Sequence, residues 1–208
     1  MAIFVTKRRV IVWIALIVIV YGMSYCWLDL PVALFFKAHG KGFYALAGSV
    51  SAVFSPEHWL MLAIVTTLAV VVMPRRFQRV RGCVRDVAFS IVFAIAVGLL
   101  LKYGLARYRP VEFFQHQLYG FHFFSMHHDL NSTPSGHSLA VFAGLTPLVC
   151  YWRWTVIPVL LIGVIVMLSR LVHLDHYLSD VWLGAWVGIG SACFIHQYYQ
   201  SNKVNELR

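Results

Sequence analysis

The sequence predicts an all-α, polytopic membrane protein: a single membrane-embedded domain spanning residues 1–208, with six transmembrane helices and a short interfacial helix. Three observations point there. Hydrophobic residues make up 60% of the chain and charged residues 12%. A soluble domain carries about 45–50% apolar and about 25% charged residues, so this chain cannot cover a surface in water. Six separate apolar runs approach the roughly 20 residues that cross about 30 Å of hydrocarbon as a helix. The basic residues divide unequally between alternate connecting segments.

The first run, Val10–Leu28, has no charge. It lacks a small-residue cleavage site and a polar exit, which predicts an anchoring span rather than a removed signal peptide. Asp29–His39 reads as the interfacial helix, with Leu34, Phe35 and Phe36 toward lipid. The later runs cover about Trp59–Met73, Val87–Tyr103, Ser138–Trp152, Thr155–Val172 and Val181–Tyr198. Several are short, which implies ends that are tilted, buried in protein or extended by polar turns.

Orientation is set by charge. An even number of spans puts both termini on one side. That side holds Lys7, Arg8, Arg9, Arg75, Arg76, Arg79, Arg81, Arg85, Arg153, Lys203 and Arg208, eleven of the 17 basic residues. The other side holds Lys37, Lys41, Lys102, Arg107, Arg109 and Arg170. The bias predicts cytoplasmic termini. The net charge of +9 is thereby explained as topology plus contact with membrane lipids, and nucleic acid is not needed as a partner. Cys26, Cys83, Cys150 and Cys193 are scattered without paired spacing, so neither a disulfide framework nor a zinc module is expected. Nothing in the pattern specifies an oligomeric state.

The chemistry collects on the side with fewer cations. Lys102 to Pro110 leaves the third span, Ser132 to His137 enters the fourth, and Ser169 to Asp180 joins the fifth to the sixth. Lys102, Arg109 and Arg170 offer a point charge and two planar forks, the inventory that grips phosphate oxygens. In Thr133-Pro134-Ser135-Gly136-His137, Thr133 suits an N-cap and Pro134 the first helical position. The N–H groups of Ser135, Gly136 and His137 would then face an anion. His176 and Asp180 are four apart and share a helical face. Asp180 is expected to hold one imidazole nitrogen protonated while the other attacks. His137 is available to protonate a leaving oxygen.

Taken together, Lys102-x6-Arg109-Pro110, Pro134-Ser135-Gly136-His137 and Ser169-Arg170-x5-His176-x3-Asp180 resemble the three-part signature of the type 2 phosphatidic acid phosphatase superfamily. The resemblance implies metal-independent phosphoester or pyrophosphate hydrolysis with no cofactor, through a phosphohistidine on His176. His137 would be the general acid, and Lys102, Arg109, Ser135, Gly136 and Arg170 would bind phosphate. With six spans, the substrate expected is a lipid phosphate; the charge bias puts the site at the outer, periplasmic face, and the compact loops suggest a bacterial cytoplasmic membrane. The family's soluble acid phosphatases and vanadate haloperoxidases fit six spans poorly.

Other readings compete. His173, Asp175 and His176, or His127, His128 and Asp129, could ligate zinc or manganese, but a lysine and two arginines nearby would repel a dication. An anion channel or transporter is the alternative class, yet its site would lie near the midplane rather than at one face. A lipid phosphotransferase would use the same residues. Asn131-Ser132-Thr133 is a formal glycosylation sequon, discounted because a glycan there would block the phosphate turn.

Overall fold

The computed structural model of the protein describes residues 7–127 and 130–205, and among them it is helical, with one isolated bridge (Arg107 to Phe121) and no strand. His128, Asp129 and Arg208 lie outside the described residues. The described residues form nine α-helices in order: α1 Lys7–Met23, α2 Asp29–His39, α3 Tyr44–Val53, α4 Pro56–Val72, α5 Gln78–Leu105, α6 Pro110–His116, α7 Gly136–Tyr151, α8 Val156–Val172 and α9 Leu178–Asn205.

Each of the six apolar runs is helical, and the short helix expected at Asp29–His39 is α2. By length and composition, however, four helical stretches can cross a membrane, not six: Val10–Val72, Arg75–Leu105, Arg153–Val172 and Leu178–Asn202. The difference has two sources. The first stretch takes in both α1 and α4, and α7 is a shorter apolar helix. The helices α3 and α6 are additions to the sequence expectation. The outer surface is that of a protein solvated by lipid: Val72 and Leu100 are 81% and 76% exposed, and α1 exposes Ile11, Trp13, Val18 and Ile19. Of the three α2 residues expected to face lipid, Leu34 and Phe35 are exposed and Phe36 is half-buried.

Two local features position the site. Between α1 and α2, Ser24–Leu28 is a π-helical turn. Widening the coil by a residue rotates the next helix about its axis; here Trp27 and Leu28 stay exposed while Asp29 is wholly buried. In the centre, α7 lies against α9 along Gly184 and Gly188. A Cβ on Gly184 would come within 2.6 Å of the Ser135 carbonyl, and one on Gly188 would strike the Leu139 carbonyl. Small residues four apart permit such backbone approach inside a membrane bundle. The consequence reaches the site, because the Ser135 N–H donates to the Asp180 carbonyl at 3.0 Å.

The segment after α6 turns back over the end of α5. The N–H groups of His122, Phe123, Phe124 and Ser125 donate to the carbonyls of Ala106, Leu105, Gly104 and Tyr103. The terminal carbonyls of α5, which no helical N–H can reach, are thereby satisfied.

Candidate active site

The loops at one end of the bundle bring Lys102, Arg109, His137, Arg170 and His176 within electrostatic reach of one another. Lys102 sits on the last turn of α5 and donates to the Asn131 carbonyl at 2.8 Å. Arg109 precedes α6 and lies 3.9 Å from Asp175. Arg170 ends α8; its Nη1 donates to Ser51 Oγ at 2.7 Å and its Nη2 to Asp175 at 2.6 Å.

His176 is 4% exposed, in the turn between α8 and α9. Its Nδ1 lies 2.7 Å from the Ser132 carbonyl oxygen. A carbonyl only accepts, so Nδ1 carries the proton and Nε2 keeps its lone pair. Burial pushes the imidazole pKa well below its ordinary value, and Arg109, Lys102, Arg170 and His137 push the same way. The ring is therefore neutral and nucleophilic at neutral pH.

Asp180 does not meet the expectation that it holds this ring. Its carboxylate accepts from Arg107 Nη1 at 2.6 Å, Ser132 Oγ at 2.6 Å, the Tyr177 N–H at 2.8 Å and Thr133 Oγ1. The imidazole is bonded to the Ser132 main chain instead, and Asp180 stands one residue behind it. The reason is geometric: His176 precedes α9, so the four-residue spacing does not put the two on one helical face.

The phosphate turn also differs in register. α7 starts at Gly136 with Ser135 as N-cap, and Thr133 and Pro134, joined by a cis peptide bond, lie outside it. The Ser135 N–H is taken by Asp180. Gly136 and His137, at the first turn, have no N–H acceptor among the described residues, as the start of a helix dictates. Among the described residues, Ser135 Oγ and Arg170 Nε are buried without a protein partner. Unsatisfied donors of this kind converge where an anion would sit.

His137 Nε2 lies 3.2 Å from the Ser51 carbonyl, so this nitrogen donates and Nδ1 is left for proton transfer. Ser51, on α3, thus touches both His137 and Arg170. No motif marks it. The contact between α3 and the end of α8 cannot be read from sequence, since Ser51 is one of two serines in a mostly apolar helix.

Three other expectations can be placed. His173 packs at a tilt against the Tyr44 ring and is bonded to the Tyr44 carbonyl, and Asp175 is bound to arginine, so both are engaged by protein groups. Of His127, His128 and Asp129, only His127 is described. Asn131, Ser132 and Thr133 are buried, which removes the sequon from glycan chemistry.

A helical membrane protein with a neutral buried histidine facing lysine, arginine and a helix start is of a class suited to transferring phosphoryl groups. The chain belongs to the PAP2 superfamily, whose family model matches residues 84–203, more than half of its 208 residues. That membership indicates phosphatase-type activity. No curated protein and no solved structure matches the chain.

Proposed function

We propose that the protein is a lipid phosphate or pyrophosphate phosphohydrolase working through a phosphohistidine. One observation carries the reading: the Nδ1–H of His176 is tied to the Ser132 carbonyl, which leaves Nε2 free among Lys102, Arg109 and Arg170. These cations, Ser135 and the N–H groups of Gly136 and His137 hold the phosphate and the charge of the transition state. Nε2 of His176 attacks phosphorus in line as the bond to the leaving oxygen breaks. His137, entering this step as the imidazolium with a proton on each nitrogen, gives that oxygen the proton from Nδ1 and keeps the Nε2–H on the Ser51 carbonyl. Water then attacks the phosphohistidine, His137 takes back the proton, and phosphate leaves with His176 restored. The three side-chain cations do the electrostatic work that a metal would otherwise supply.

The topology belongs to the same proposal. α1, α4, α5, α7, α8 and α9 make six crossings of a bacterial cytoplasmic membrane, α2 and α3 lie at the interface, both termini are cytoplasmic, and the site faces the periplasm. Substrates that suit it are undecaprenyl pyrophosphate, phosphatidylglycerophosphate, phosphatidic acid and lipid A phosphates. The test is phosphate release by purified protein across that panel in EDTA, with acid-labile labelled protein trapped on rapid quench. Release in chelator with label absent from His176→Ala supports the proposal. Activity that needs zinc or manganese, or label that persists in His176→Ala, refutes it.

A further inference from the structure

We propose that Asp29 and Arg107 are positioning residues for the nucleophile, and that the start of α2 holds the catalytic turn in place through a buried Asp29–Arg107–Asp180 bridge. The inference rests on reading His176 as the nucleophile.

Arg107 is the largest wholly buried side chain among the described residues. Nη1 donates to Asp180 Oδ1 and to Ser179 Oγ, both at 2.6 Å, and Nη2 donates to Asp29 Oδ2 at 2.7 Å. The guanidinium is enclosed by Tyr25, Tyr119, Phe121 and Tyr177, whose ring centres lie 4.3–5.7 Å away. Asp29 also accepts from the Ser179 N–H at 2.8 Å and from Ser179 Oγ at 2.5 Å, so it caps the first turn of α9 from outside that helix.

A buried cation between two carboxylates could be structural alone, but the connections run to the nucleophile by two routes. The Arg107 carbonyl accepts the Ser132 N–H at 3.1 Å, and Asp180, held by Arg107, accepts Ser132 Oγ. Ser132 in turn presents the carbonyl that sets the His176 tautomer. Asp180 also fixes the N–H of Tyr177, the residue after His176. A shift in Arg107 therefore passes to both sides of the imidazole. Asp29 lies outside residues 84–203, so this support comes from beyond the stretch that matches the family.

The test uses the full chain in detergent micelles, with para-nitrophenyl phosphate as substrate and nitrogen-15-labelled histidine, the His176 signal being assigned by its loss in His176→Asn. Asp29→Asn removes the charge at constant shape. It should lower kcat by about 10–100-fold with KM changed by less than about threefold, since misplacing a reacting group costs rate rather than affinity. It should also convert the single Nδ1–H form of His176 to a tautomer mixture. Ser179→Ala, the milder change, should do both to a smaller degree, and it carries the test if Asp29→Asn does not fold. Folded variants that keep kcat within about twofold, or that lose rate while His176 stays wholly Nδ1–H, overturn the proposal. If the wild-type chain hydrolyses no phosphate ester, the phosphatase reading fails while the tautomer measurement still decides this one.

Discussion

Asp86 and Asp180 are both wholly buried and both bonded to arginine, yet they sit in opposite kinds of surroundings. Asp86 lies near the start of α5, and Lys102 of the site lies sixteen residues later, roughly 24 Å along the helix. Asp86 accepts from Arg85 at 2.7 Å, Tyr151 at 3.1 Å and His196 at 2.8 Å, which staples α5, α7 and α9 together. Its donors and acceptors match. At the other end, among the described residues, Lys102 donates to a backbone carbonyl, and Ser135 Oγ and Arg170 Nε have no protein partner. A buried charge alone therefore does not mark a functional site. What distinguishes the candidate site is that cationic and hydroxyl donors without partners among the described residues lie together there.

The largest expected effect separates the two ends by their histidines. His176→Ala should lose at least about 10⁴-fold in kcat, because no other group forms the covalent intermediate. His196→Ala should keep kcat/KM within about threefold. Comparable losses in both, measured on one substrate, would erase the distinction.

His137→Ala sharpens the picture within the site. With a lipid alkoxide leaving group the loss should be about 10²–10⁴-fold, the usual size of general acid catalysis. With a nitrophenol leaving group, which needs no proton, most of the phosphorylation rate should return. A loss independent of the leaving group would remove His137 from that role.

Asp86→Ala tests the other end. Leaving Arg85, Tyr151 and His196 without their carboxylate should destabilise the fold by about 3–5 kcal/mol. Thermal unfolding should show it, while kcat per folded molecule is unchanged. A selective fall in kcat at constant stability would join Asp86 to the site.

The smallest effect is in pH. Burial and the neighbouring cations hold the His176 pKa well below the ordinary 6.5. Nε2 therefore stays unprotonated until pH falls through that lowered value, and the acid limb of kcat/KM, which reports the free enzyme, should have its midpoint below 6.5. The sign for folding agrees. The unfolded ring binds its proton at its ordinary pKa and the folded ring does not, so stability declines as pH drops below about 6.5. A limb at or above that value would mean that the cations do not act on His176.

Much of the fold is legible because a membrane imposes a simple rule. Apolar runs must be helices, since lipid offers no partner for a backbone amide. Hence all six runs, and α2 with the same bounds, are helical. The breaks between crossings are less legible: α1 to α4 form one nearly continuous helical stretch, and hydropathy does not distinguish a bend from a crossing. The candidate site is legible as an inventory, because Lys102, Arg109, Ser135, Gly136, His137, Arg170 and His176 carry chemistry in their side chains or their lack of one.

What sequence by itself determined, then, is which groups are available and that the chain lives in lipid: composition and local spacing suffice for both. Who touches whom was decided by tertiary structure. Asp180, four residues from His176, reaches Arg107 and Ser132 instead, and the carbonyl that orients the imidazole comes from 44 residues away. Asp29 and Ser51 gain their roles only when α2 and α3 fold against the ends of α9 and α8. A main-chain carbonyl has no residue type to read, and a buried aspartate or serine looks like any other until its partner arrives. Spacing along a chain constrains contacts within one helix, whereas contacts between helices depend on packing such as that of Gly184 against Ser135.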